Sequence, residues 1–84
     1  MAIVLSENEA LTNAAANLRR KLEFFGWSQV ELAERAATNQ PTISNLIHQK
    51  SMPGVAILAR IAEALETTVD QLVATPKENS RQPA

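Results

Sequence analysis

The sequence contains no cysteine and no tyrosine, and it has a single histidine, two glycines and four prolines. Without cysteine there is no disulfide framework and no thiolate metal site, and His48 alone supplies neither a histidine-rich metal cluster nor the base of a Cys–His pair. Gly26 and Gly54 lie too far apart to make a glycine-rich phosphate loop. An enzyme, a metal and a cofactor are therefore all disfavoured. The N-terminal apolar residues Ala2, Ile3, Val4 and Leu5 are too few for a membrane span or a signal peptide and follow no basic stretch, so no membrane partner is expected and a cytoplasmic location is. Charge of one sign is also lacking: the formal net charge is -1, which leaves no bulk attraction to a polyanion.

What is present favours one small helical domain. A chain of 84 residues has room for a single modest core, and 45% of it is hydrophobic, with abundant Ala, Leu, Glu and Gln and almost no β-branched alternation. The charges are unevenly placed. Between Leu18 and Arg60 the bases Arg19, Arg20, Lys21, Arg35, Lys50 and Arg60 face only Glu23, Glu31 and Glu34, while Glu7, Glu9, Glu63, Glu66, Asp70 and Glu78 lie outside that stretch.

Helical spacing recurs along the chain. Leu11, Ala15, Leu18, Leu22 and Phe25 predict a first helix over 11–25, stopped at Gly26. Ser28 and Glu31 form a capping-box pattern opening a second helix, with Trp27 in the staple position before it and Leu32, Ala33 and Ala36 on its inward face. After a turn at residues 37–39, Asn39 is an N-cap candidate and Pro41 falls in the first turn of a third helix carrying Ile43, Leu46 and Ile47 inward. Pro53 and Gly54 break the chain before Val55, Leu58, Ala62 and Leu65 resume the period, and Thr68 with Gln71 opens a short fifth helix offering Val69, Leu72 and Val73. The expected organisation is an N-terminal arm at 1–10, a helical domain at 11–74 and a disordered polar tail at 75–84.

Two short helices joined by a tight turn form the helix-turn-helix unit, in which the second helix enters the major groove and the first crosses the phosphates. With Ile43, Leu46 and Ile47 inward, Gln40, Pro41, Ser44, Asn45 and His48 share the opposite face, which holds no carboxylate. Gln40 and Asn45 can donate and accept together, matching the N6 and N7 positions of adenine. Ser44 suits several bases, Pro41 suits a thymine methyl, and His48 or Lys50 suits a base or a phosphate. Gln29, in the first turn of the second helix, is expected beside a phosphate, with Asn39 and Thr42 in the same role at the third. Arg19, Arg20 and Lys21 read either as a solvated face or as phosphate clamps.

Ser28, Gln29, Val30, Glu31, Leu32 and Ala33, then Asn39, Gln40, Pro41, Thr42, Ile43 and Ser44, then the stretch 53–65, resemble the lambda-type repressor and Cro family of helix-turn-helix regulators over about 18–73. The resemblance implies an all-α, five-helix bundle of the lambda repressor-like DNA-binding type, with the third helix reading double-stranded DNA and binding as a dimer. It also implies that Gln29 contacts phosphate and Gln40 reads a base. Two positions depart from the family pattern. Ala37 stands where relatives usually carry Gly in the turn, so a left-handed conformation there costs about 1 kcal/mol or more. Lys21 stands where relatives often carry Leu, with Leu22 taking the core role. Association between copies has two candidates, residues 3–5 as an edge strand and a patch of Ile57, Val69 and Val73. A competing reading is an antitoxin-type interaction module that binds a toxin partner and regulates its own operon.

Overall fold

The computed structural model describes residues 6–76, which form five helices and no strand: α1 (Glu7–Phe25), α2 (Gln29–Arg35), α3 (Gln40–Ile47), α4 (Val55–Ala64) and α5 (Val69–Val73). Helix α1 begins four residues before the expected Leu11. Ser6 Oγ accepts from the Glu9 amide at 3.0 Å and Glu9 Oε1 accepts from the Ser6 amide at 3.0 Å, a complete capping box that extends the helix through residues assigned to the arm. Residues 1–5, and the tail from 77 onward, lie outside the described residues.

The other starts follow local chemistry. Ser28, Asn39 and Thr68 each accept from the backbone N–H three residues on, so the N-caps expected for α2, α3 and α5 form. The capping boxes of α2 and α5 stay half made: the Glu31 carboxylate takes Arg35 at 3.0 Å, and Gln71 Oε1 takes the Thr67 hydroxyl at 2.8 Å.

Helices α1 to α4 all end with a left-handed residue, the cap itself at α1 and the residue after the cap at α2, α3 and α4, and the next N–H reaches back. At α1 that residue is Gly26 (φ 73), whereas α2, α3 and α4 use Ala37 (φ 56), Gln49 (φ 59) and Glu66 (φ 59). The returning bonds run from Trp27 N to Leu22 O (3.0 Å), Thr38 N to Ala33 O (2.8 Å), Lys50 N to Asn45 O (2.7 Å) and Thr67 N to Ala62 O (2.9 Å). Three side chains thus occupy a backbone region that favours glycine.

The core is one cluster drawn from every helix. Leu18, Leu32, Ile43, Leu46, Ile61, Leu65 and Leu72 are its largest fully buried members. Leu22 is buried beside them and Lys21 is only half-buried, so the exchange of roles expected in α1 is present. Val55 departs from the expected apolar face of α4: it is 83% exposed, because it sits at the first helical position, beyond the edge of the bundle, while Ile61 fills the inward face. Asn13 and Asn17 of α1 fasten α5, donating to Val73 O (3.0 Å), Leu72 O (2.7 Å) and Ala74 O (2.8 Å) at its otherwise open C-terminus. Among the described residues no helix is long and apolar enough to cross a membrane.

Candidate nucleic-acid interface

Helices α2 and α3 are set by the turn between them and by two arginines outside it. Arg60 of α4 donates through Nε to Ala36 O (3.1 Å) and through Nη2 to Ala37 O (3.4 Å), satisfying carbonyls at the end of α2. Arg19 of α1 donates to Ile47 O (3.3 Å) at the end of α3. Each helix of the pair therefore has its C-terminal carbonyls held by a cation from the surrounding scaffold, which both caps the helix and opposes its negative end. The start of α2 is braced as well: Trp27 stacks on Phe25 with ring centroids 4.5 Å apart, and the Arg35 guanidinium lies 4.2 Å from the Trp27 ring.

Gln40 and Gln29 meet across the angle between the helices. Gln40 Nε2 donates to Gln29 Oε1 at 2.7 Å, both side chains being half-buried. The bond uses one Nε2 hydrogen of Gln40 and leaves its Oε1 and second hydrogen, the pair that adenine requires. Gln29 keeps its own amide hydrogens beside the N-terminus of α2.

The remaining residues of the face divide by their internal commitments. Asn39 Oδ1 accepts from Thr42 N (3.0 Å) and from Thr42 Oγ1 (2.8 Å), so the Thr42 hydroxyl hydrogen is directed at Asn39 and only its lone pairs remain for a ligand. Asn45 and Pro41 are exposed on α3 and Lys50 just past its end, with no side-chain hydrogen bond among the described residues. His48 Nδ1 lies 2.9 Å from the Ser44 carbonyl oxygen and 3.3 Å from Ser44 Oγ. A carbonyl only accepts, so Nδ1 carries the proton, and Nε2 of the neutral ring is an acceptor. The structure thus brings Gln29, Gln40, Ser44, Asn45 and His48 together along α3 and the start of α2. Asn39 and Thr42 are held to each other at the first turn of α3, and Lys50 lies beyond its C-terminus.

Sequence reasoning missed the positioning roles of Arg19 and Arg60. Nothing local marks either residue, since their acceptors lie 28 and 24 residues away. Among the described residues no group of three or more His, Cys, Asp or Glu side chains is placed to hold a metal ion.

Comparison with known proteins identifies the family and the fold. The family described as helix-turn-helix matches residues 18–72, more than half of the chain. The backbone is similar to that of the crystal structure of the hypothetical transcription factor NHTF from Neisseria, with a TM-score of 0.74 and 24% identity over 96% of this chain and 93% of that one. At that identity the likeness establishes a shared fold. No curated protein matches the sequence.

Proposed function

The chain belongs to the helix-turn-helix family of DNA-binding transcription regulators, and from that premise we propose that it is a sequence-specific repressor that binds a palindromic operator as a dimer, with α3 in the major groove. The observation that carries this reading is the Gln40–Gln29 bond on a face without carboxylates. One residue at the start of each helix is held in a shared geometry, so a phosphate contact by Gln29 fixes the orientation in which Gln40 meets a base. Ser44, Asn45 and His48 extend the reading face along α3, and Lys50, Asn39 and Thr42 supply phosphate contacts at its two ends. Dimeric pairing places two half-sites about one helical turn apart, roughly 34–36 Å, and doubles the contacts of a chain whose net charge is -1.

Selection of bound sequences from random DNA, repeated with Gln40→Ala, tests the reading. The native protein enriches a palindromic site, and the variant loses preference at one position of each half-site while keeping its salt-dependent, non-specific binding. An unchanged preference removes Gln40 from the readout, and no enrichment by the native protein overturns the reading itself.

A further inference from the structure

Between α1 and α5 runs an open groove of about 490 Å³ whose lining includes Asn17, Arg20, Lys21, Phe24, Leu72 and Ala74. None of the residues proposed to meet DNA lines it. Phe24 is its most conspicuous member: the side chain is 79% exposed, held edge-on to Phe25 with centroids 5.2 Å apart. An exposed aromatic ring with Lys21 on the rim and no carboxylate among the described lining residues fits a partner that is apolar and then acidic.

The chain carries such a segment itself. Ile3, Val4 and Leu5 are followed by Glu7, an exposed residue in the first turn of α1. That segment does not reach Phe24 of its own copy. Ile3 extends at most about 11 Å from Ser6, whereas Phe24 lies about 27 Å further along α1. A second copy packed the other way round about a twofold axis would bring the same segment to Phe24, reciprocally. We propose that the α1–α5 groove receives residues 3–5 of a second copy, with Glu7 of that copy against Lys21. This rests on the dimer reading above and assigns it a surface: apolar side chains cover Phe24, and the acidic start of α1 meets its basic end.

The absence of cysteine makes the test direct. Val4→Cys protein is mixed with Thr75→Cys protein, the latter placed on the groove lining, under mild oxidation. Sedimentation equilibrium is measured for the native chain, for Phe24→Asp, for Lys21→Glu, and for Lys21→Glu combined with Glu7→Lys. The expected results are a disulfide between the two cysteine variants in excess of either self-disulfide, dimer dissociation constants raised at least tenfold in Phe24→Asp and Lys21→Glu, and recovery in the double charge reversal, all at unchanged helicity. A native chain that stays monomeric at high micromolar concentration overturns the dimer reading and the groove with it. A native dimer in which Phe24→Asp still associates normally and the mixed disulfide does not form overturns the groove alone and leaves the DNA-binding dimer standing.

Discussion

The side-chain amide of Gln40 donates to Oε1 of Gln29 at 2.7 Å, joining the first turns of two helices that are 11 residues apart in sequence. On the proposal that α3 enters the major groove, this bond makes anchoring and reading interdependent. Gln29→Ala is therefore expected to weaken binding to all sequences and also to blur the base preference of Gln40. A double-mutant cycle over Gln29→Ala and Gln40→Ala measures the link. The two losses in operator affinity overlap, with a coupling of about 0.5–1.5 kcal/mol, the usual range for a neutral hydrogen bond. Strict additivity would show that the bond has no part in the complex.

The left-handed residues at the helix ends predict stability changes of known sign. Gly26 (φ 73) has nothing within 4 Å of where a Cβ would stand, so Gly26→Ala adds conformational strain without a clash. It should cost about 1 kcal/mol. Ala37, Gln49 and Glu66 already bear that strain, and Ala37→Gly should recover somewhat less, since glycine also loses more freedom on folding. For a domain of this size each 1 kcal/mol moves Tm by roughly 4–8 °C. Thermal unfolding should show Ala37→Gly melting higher than the native chain and Gly26→Ala lower, with Ala37→Gly and Glu66→Gly adding. A lowered Tm in Ala37→Gly contradicts the φ of 56 at that residue.

His48 offers a check that needs no DNA. Its Nδ1 is held at 2.9 Å by the Ser44 carbonyl, so the neutral ring carries its proton on Nδ1 and presents Nε2 as an acceptor. Nitrogen-15 chemical shifts of the imidazole should report this tautomer, which is the less common one in solution. Ser44→Ala removes the hydroxyl at 3.3 Å but leaves the carbonyl in place, so the tautomer should persist. A proton found on Nε2 in the native protein would remove the Ser44 carbonyl bond and, with it, the acceptor that suits the N4 amino group of cytosine or the N6 of adenine.

How much of this was legible in the sequence depended on whether cause and effect were close along the chain. Ser28, Asn39 and Thr68 each cap an amide three residues on, and Ile43, Leu46 and Ile47 repeat at the helical period, so α2, α3 and α5 could be read directly. Ser6 and Glu9 cap α1 in the same way, but Glu7, Asn8 and Glu9 make its first turn wholly polar, and a reading that begins at the apolar period starts too late. That Gln40, Ser44 and Asn45 lie on α3 was legible from the helical period, whereas the Gln40–Gln29 bond was not, because it depends on the angle at which two helices meet. The strain at Ala37 was suggested by the family pattern, but Gln49 and Glu66 carried no such signal.

Counting bases misleads most clearly at Arg60. The sequence places six bases against three acids between Leu18 and Arg60, yet Arg60 and Arg19 donate to backbone carbonyls, and Arg35 pairs with Glu31 while lying over Trp27. If Arg60 acts by holding the end of α2, Arg60→Gln should lower stability by about 1 kcal/mol, the scale of an exposed charged hydrogen bond. It should also reduce operator affinity through a less well-fixed turn, while leaving the salt dependence of binding unchanged. A phosphate contact behaves differently: its removal lowers the slope of log K against log salt by about 1 and leaves the melting temperature alone. Lys50→Gln supplies the contrast, because Lys50 is exposed just past the end of α3 without a side-chain partner among the described residues. The two substitutions remove the same charge, so a smaller slope for Lys50→Gln but not for Arg60→Gln separates a cation that meets DNA from one that positions the helix meeting it. Equal changes in slope would return Arg60 to the DNA surface.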